Sequence, residues 1–201
     1  MSIKTERLLS KAKKLAKKGE NKQAKEIYSN ILKAFPDNQT AKKEFKLLTN
    51  EKGVNPSQLQ LNEVMKLYET GNIKQALDYV ESLIKDYPNE SLLFNICGAC
   101  HSETGSIELA IENFKKAIAL KIDYSEAQFN LGVAFQKLNQ LDNASEYYLQ
   151  AIHSQHAYPS AHNNLGIIFL NKGRIDAAVK SFEWAIAYSP NYAEAYNNLG
   201  S

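Results

Sequence analysis

The chain has 201 residues, of which 44% are hydrophobic and 23% are charged, a balance that excludes an intrinsically disordered protein. Only nine Gly and five Pro are present, and runs of Leu, Ala, Lys and Glu dominate, so we expect an all-α chain. The net charge of +2 conceals an asymmetry, because residues 1–54 hold 14 Lys and Arg against 6 Asp and Glu. No apolar run is long enough for a membrane span or a signal-peptide core, which predicts a cytoplasmic protein without membrane partners.

The N-terminal segment, residues 1–38, is basic and is predicted to form a helix pair. Apolar Leu8, Ala12 and Leu15 recur at helical spacing beside a stripe of cations. Such a stripe suits an acidic partner, or it serves only as the solvated outer face that the end of a helical array needs. We do not expect nucleic acid, because no aromatic residue lies in the first 27 positions to stack on bases. The basic stripe consists of Lys4, Arg7, Lys11, Lys14 and Lys18.

Residues 39–56 separate this pair from the rest of the chain. Ala41, Phe45 and Leu48 follow one another at helical spacing, which predicts one extra helix capping the first pair. The stretch "NEKGVNP" at 50–56 is typical of a turn or linker.

From residue 57 to residue 201 the chain repeats itself every 34 residues. Residues 5–38 fit as an earlier copy in the same register. A repeat of this length is one supersecondary unit, which buries its apolar face only by stacking on its neighbours. The copies begin at Ser57, Ser91, Ser125, Pro159 and Ala193, and the last of them is incomplete.

The columns of the repeat describe two helices that cross closely. Position 20 is Ala in every copy that reaches it and position 8 is Gly in the later copies, as expected where larger side chains would not fit. Position 15 is Gly or Asn, the residue types that adopt positive φ and end a helix. Pro recurs at position 32, where it cannot continue the second helix. Each unit is therefore predicted to be helix, turn, helix.

This pattern resembles the tetratricopeptide repeat (TPR) family, and the resemblance covers nearly the whole chain except the 39–56 segment. It implies a right-handed superhelical solenoid of antiparallel helix pairs, whose first helices line a concave groove that binds proteins or peptides. Glu63 and Val64 depart from the usual Leu-Gly of the family. The stretch "AEAYNNLG" is similar to the arrays that precede the catalytic regions of O-linked N-acetylglucosamine transferases, SPINDLY-type proteins and bacterial TPR-transferase proteins.

The resemblance also implies which side chains face the groove, since positions 2, 5, 6, 9, 12 and 13 do so in the family. Positions 5 and 6 are rich in Asn here. An amide both donates and accepts, so an asparagine ladder can pair with the backbone of an extended peptide. The same amides can instead bond only to neighbouring turns of the protein. The candidate groove residues are Asn62, Asn95, Phe129, Asn130, Val133, Asn163, Asn164, Ile167, Asn197 and Asn198.

Residues 97–101, "CGACH", have the spacing by which c-type haem is attached, and Cys and His also serve in zinc and redox sites. In register, however, Cys97 and His101 fall at core positions 7 and 11 of the repeat, so we expect packing there and neither a cofactor nor a metal. We find no catalytic constellation and predict that the chain is not an enzyme.

Two functions remain open at this stage. The leading interpretation is a protein–protein interaction scaffold that holds a protein or extended peptide in its groove. The alternative is the N-terminal targeting part of a larger glycosyl- or sulfo-transferase, whose catalytic domain lies beyond residue 201. The incomplete last repeat motivates this second interpretation.

Overall fold

The computed structural model describes residues 3–49 and 55–200, apart from the side chains of residues 3, 4, 46, 47 and 49. All regular structure in these ranges is helical, as predicted. The chain divides into two compact units, Met1–Ser57 and Gln58–Ser201, called unit 1 and unit 2 below. Unit 1 contains α1 (Ile3–Lys17), α2 (Asn21–Ala34) and α3 (Gln39–Thr49). Unit 2 contains α4 (Gln58–Glu69), α5 (Ile73–Asp86), α6 (Ser91–Glu103), α7 (Ile107–Leu120), α8 (Ser125–Lys137), α9 (Leu141–Ser154), α10 (Pro159–Asn171), α11 (Ile175–Tyr188) and α12 (Ala193–Leu199).

Unit 1 is a helix pair with a third helix packed against it. Ala12, Ala24 and Tyr28 are buried between α1 and α2. Ala41 of α3 joins the same core, so the helix predicted after the first pair packs on both helices of that pair. The side chain of Asn38 accepts a hydrogen bond from the Ala41 N–H at 2.9 Å, which caps the first turn of α3.

Unit 2 is a stack of antiparallel helix pairs, α4–α5, α6–α7, α8–α9 and α10–α11, against which α12 packs. The first helix of each pair ends at a residue with positive φ, which confirms the prediction for position 15. Four glycines in the chain take this conformation there, and Asn139 takes it with φ of 57°. Asn tolerates the left-handed region because its short side chain can hydrogen-bond locally.

None of the helices in the described ranges is long and apolar enough to cross a bilayer.

The helices of a pair cross where a glycine of the first helix meets an aromatic ring of the second. A Cβ atom placed on Gly132 would lie 2.7 Å from the Tyr148 ring, and one on Gly98 would lie 2.6 Å from Phe114. Contacts this short essentially never occur for real Cβ atoms, so a side chain at Gly98 or Gly132 would force the facing ring or its helix to move. The predicted close approach at position 8 is therefore confirmed.

The first helix pair of unit 2, α4–α5, has different residues at the two positions that meet in the later pairs. Val64 stands where a glycine is usual, and Val80 stands where the later pairs have an aromatic ring. Both side chains are fully buried in one core cluster. A larger side chain on α4 thus accompanies a smaller one on α5, which roughly conserves the total side-chain volume of the two positions. This compensation explains the departure from the usual Leu-Gly, while Glu63 beside it is exposed.

Candidate functional site

The first helices of unit 2 present the candidate groove residues. Asn62 and Asn197 are exposed, while Val133 and Ile167 are half-buried. Between α4, α6 and α8 the surface forms a recess of about 280 Å³. We call it the groove recess, and its lining residues are Met65, Tyr68, Leu92, Asn95, Ile96, Ala99, Glu126 and Asn130.

Two pairs of the predicted amides are joined to each other. Asn130 Nδ2 donates to Asn95 Oδ1 at 3.0 Å, and Asn198 Nδ2 donates to Asn163 Oδ1 at 3.0 Å. In both pairs a position-6 side chain reaches position 5 of the preceding repeat, 35 residues earlier. Asn95 and Asn163 are almost fully buried. These amides therefore hold adjacent repeats together, whatever further role they have.

The remaining interfaces of unit 2 show why the pairing depends on both partners. Leu61 and Ile96 occupy the same two positions one repeat earlier, where both are apolar. In the next interface Phe129 cannot accept a hydrogen bond, so Asn164 donates instead to Tyr148 Oη at 3.1 Å. The nature of position 5 thus decides where the amide of position 6 binds.

Aromatic side chains fill the middle of this surface. The Phe129 ring stacks on Tyr158, with 5.1 Å between ring centroids, and lies 5.5 Å from the ring of Tyr148. Tyr148 Oη donates to Gln136 Oε1 at 2.7 Å while accepting from Asn164. Burial raises the pKa of Tyr148 to about 12, and the hydrogen bond from Asn164 partly opposes that shift. Phe129 is therefore a half-buried residue that packs between the rings of Tyr148 and Tyr158.

Glu126 supplies the charge of the groove recess. Its carboxylate accepts from Asn95 Nδ2 at 3.0 Å and is exposed. Burial first, and the Glu126 charge second, raise the pKa values of Tyr124 and Tyr158 to about 12. The recess therefore combines apolar walls with one negative group and favours a neutral or basic ligand group.

One buried amide group has no partner among the described residues. Asn163 is fully buried, its Oδ1 accepts from Asn198, and its Nδ2 makes no hydrogen bond there. The equivalent Nδ2 two interfaces earlier, on Asn95, donates to Glu126. Buried polar groups are nearly always paired, so this unpaired N–H group destabilises the α10–α12 interface, and its full burial keeps it out of reach of a ligand.

Six lining residues of the groove recess are not among the candidates selected from the sequence, and three of these are Tyr68, Leu92 and Ala99. They occupy positions 12, 2 and 9 of their repeats, all of which face the groove in the family. The groove-facing positions of the family therefore indicate these residues, but the selection was based mainly on the Asn residues at positions 5 and 6.

The "CGACH" stretch lies in the core of unit 2. Cys97 and Cys100 are free and buried, and His101 is 9% exposed. Burial is the main cause that raises the pKa of Cys97 to about 12 and that of Cys100 to about 11, so both are thiols at neutral pH. Gly98 between them packs against the Phe114 ring. These contacts agree with the packing role that the register predicts.

The basic stripe lies on α1 of unit 1 and at its C-terminal end. Arg7, Lys11, Lys14 and Lys18 are exposed and line one surface recess of about 630 Å³. None of these four forms an ion pair with another residue whose side chain is described. The side chain of Lys4, the fifth member, lies outside the described part of the chain.

These repeated helix pairs define a helical-repeat solenoid, and sequence comparison gives its family. Models of the TPR repeat and the tetratricopeptide repeat match residues 66–90, 102–139, 129–181 and 168–201. The matches cover more than half of the chain, which therefore belongs to the tetratricopeptide repeat family. Its fold is the right-handed superhelical solenoid of antiparallel helix pairs.

Individual proteins agree with this assignment. A Saccharomyces cerevisiae peroxisomal targeting signal receptor is 28% identical over 92 residues, which are 46% of this chain and 15% of the receptor. The crystal structure of MamA is 22% identical with a TM-score of 0.62, covering 96% of this chain and 98% of MamA. YrrB, described as a TPR protein with an unusual peptide-binding site, is 18% identical with a TM-score of 0.60, covering 96% and 91% of the two chains. The structural similarities establish the fold alone.

Proposed function

We propose that unit 2 is a protein-interaction module that binds an extended segment of a partner protein across the groove recess. The observation that carries this proposal is the recess itself, in which Met65, Leu92 and Ala99 provide apolar contacts beside the polar atoms of Glu126 and Asn130. Its volume of about 280 Å³ lies at the lower limit of small-molecule pockets, about 300 Å³, and suits one large side chain of a peptide.

The charge of unit 2 indicates what kind of segment fits. Residues 55–201 hold 10 Lys and Arg against 16 Asp and Glu. Glu69, Glu103 and Glu126 are all exposed on the first helices. We therefore propose a segment with a neutral or basic side chain in the recess, whose backbone bonds to the partly buried Asn130.

Two of the similar proteins support a binding role. YrrB carries a peptide-binding site by its own description, and the yeast relative is a receptor for a peroxisomal targeting signal. The chain spans only 15% of that receptor, so its signal is not transferred to this protein.

Filling the recess tests the proposal directly. We expect Ala99→Phe to weaken peptide binding at least about 10-fold, because the new ring occupies the space that the ligand side chain would take. Peptides are first selected from a random library displayed on phage against the unmodified protein. Their affinities for the variants are then measured by fluorescence anisotropy, with circular dichroism as a check on folding.

A matched control uses the same substitution outside the groove. Ala119 is exposed on α7 and does not line the recess, so Ala119→Phe should leave affinity unchanged. Glu126→Gln keeps an acceptor for Asn95 but removes the charge, and it should weaken basic peptides more than neutral ones. Selected peptides that bind equally well to Ala99→Phe and to the unmodified protein would place the binding site elsewhere.

We also propose that the basic stripe of unit 1 binds an acidic segment, since its four exposed cations share one recess. Lys11→Glu/Lys14→Glu should reduce binding of poly-L-glutamate at least about 10-fold, and higher salt should weaken the parent's binding. The control Lys22→Glu/Lys33→Glu changes the net charge equally on exposed α2 positions. Equal losses in both variants would assign the effect to overall charge and the stripe to a solvated cap.

A location in the cytoplasm and the closeness of the repeats to transferase arrays stay predictions from the sequence. The relatives reported above do not favour the transferase alternative. Reading the genomic sequence downstream of residue 201 tests it, because a catalytic domain would require several hundred further codons in frame.

A further inference from the structure

Three side chains of different chemistry meet between α5 and α6, away from the groove recess. Cys97 and His101 lie one turn apart on α6, and Glu81 approaches them from α5. One ligand atom of each, namely the thiol sulfur, a ring nitrogen and a carboxylate oxygen, lies within 4.8 Å of the other two. All three residue types are metal ligands in proteins.

The repeat provides an internal comparison for this cluster. One repeat later the same three positions are Lys115, Leu131 and Phe135, and the Lys115 ammonium lies over the Phe135 ring at 5.6 Å from its centroid. Two repeats later they are Leu149, Leu165 and Phe169. The helix contact therefore packs well without any of these polar groups, so packing does not explain three ligand residues at one contact.

His101 adds an independent observation. It is 9% exposed, and neither of its ring nitrogens makes a hydrogen bond with another described residue. Its ring nitrogens are not among the buried unpaired atoms of the described residues, so they are open to solvent and free to bind a ligand.

We propose that Glu81, Cys97 and His101 form a site for a zinc ion. A tetrahedral zinc site holds sulfur at about 2.3 Å and nitrogen or oxygen at about 2.0–2.2 Å, so neighbouring ligand atoms lie roughly 3.3–3.8 Å apart. Reaching this spacing from separations of up to 4.8 Å needs a contraction, to which the exposed Glu81 side chain can contribute. Water from the Glu81 side completes the fourth position.

The donor set favours zinc over the common hard cations. Mg²⁺ and Ca²⁺ prefer oxygen ligands, whereas a thiolate with an imidazole suits zinc. Binding releases the thiol proton of Cys97 to solvent, and the thiolate and carboxylate together balance the two charges of Zn²⁺. The Lys116 ammonium also faces Cys97, but it is paired with Glu112 at 2.8 Å. With zinc bound, the ion, the Cys97 thiolate and the Glu81 carboxylate would together carry no net charge.

The test uses the full chain without an affinity tag, kept reduced and titrated with Zn²⁺ and with Co²⁺ as a spectroscopic substitute. We expect one zinc ion per chain in competition with a chromophoric chelator, a rise in the thermal unfolding midpoint, and a thiolate-to-cobalt charge-transfer band. Absence of saturable binding, or a cobalt spectrum without the thiolate band, would overturn the proposal.

Substitutions that copy the residues of the next repeat should preserve the packing between α5 and α6. Cys97→Leu/His101→Phe imports the residues of Leu131 and Phe135 and should abolish zinc binding. Glu81→Gln should weaken it at least about 10-fold. The control Cys100→Ala imports the residue of Ala134 and should bind like the parent, as should His153→Ala at an exposed position. Binding that survives the double substitution, or that either control removes, would contradict this assignment.

Discussion

Replacing Gly166 by Ala is expected to lower the free energy of unfolding by about 1–3 kcal/mol, because the new methyl group has no space. A Cβ atom on Gly166 would lie 2.5 Å from Cε1 of Phe182, 2.8 Å from its Cδ1 and 2.9 Å from its Cζ. The Phe182 ring is 1% exposed and belongs to a packed helix contact, so it cannot swing into solvent. The α10–α11 crossing must open instead, and chemical denaturation monitored by circular dichroism measures the cost.

Gly200 offers a control in the same column of the repeat. A Cβ atom there meets nothing closer than the backbone oxygen of Tyr196 at 3.6 Å, which is an ordinary contact. Gly200→Ala should therefore change the free energy of unfolding by no more than about 0.5 kcal/mol. A loss as large as that of Gly166→Ala would show that the backbone, and not the ring contact, makes glycine necessary.

A double-mutant cycle isolates the contact itself. Phe182→Leu removes the ring that the new methyl group would strike, at a cost of its own in lost packing. We expect Gly166→Ala/Phe182→Leu to be more stable than the sum of the single effects predicts, by about 1 kcal/mol or more. Strictly additive effects would contradict a direct clash between these two positions.

The crossings of unit 2 could be predicted from the sequence because they lie within one repeat. Gly at position 8 and an aromatic residue at position 24 recur together in three pairs, so the column alone indicates a close contact. The Val64–Val80 contact shows the limit of this reasoning. Both changes appear as isolated departures in the sequence, and only the burial of both side chains in one cluster shows that they compensate each other.

The candidate site was less predictable because its contacts run between repeats. Family position alone suggested that Asn130 faces a ligand, but its amide donates to Asn95 at a separation of 35 residues. That pairing depends on the rotation from one helix pair to the next, which no single column contains. The approach of Glu81 to His101 has the same origin, since it joins position 25 of one repeat to position 11 of the next.

Replacing Asn130 by Ile should destabilise unit 2 by about 1–3 kcal/mol, because it leaves a buried acceptor unpaired. Asn95 is 2% exposed, and its Oδ1 accepts from Asn130. The second substitution, Asn95→Leu, removes the unpaired oxygen and recreates the apolar pair of Leu61 and Ile96. Asn130→Ile/Asn95→Leu should therefore recover most of the lost stability, in urea denaturation, since an apolar pair of similar shape can be nearly neutral. No recovery would show that the amide pair is not what the single substitution disrupts.

The stable double variant then separates packing from recognition in the Asn column. We expect its helical content and stability to resemble those of the parent, in which case a change in peptide affinity cannot be assigned to unfolding. Because Asn130 lines the groove recess, we expect an affinity loss of roughly 3–10-fold, the worth of one hydrogen bond to a ligand backbone. The test uses peptides whose binding is weakened by Ala99→Phe. If the double variant binds these peptides as tightly as the parent does, the Asn95–Asn130 pair only joins repeats. Recognition would then depend on the apolar walls of the groove recess and on Glu126.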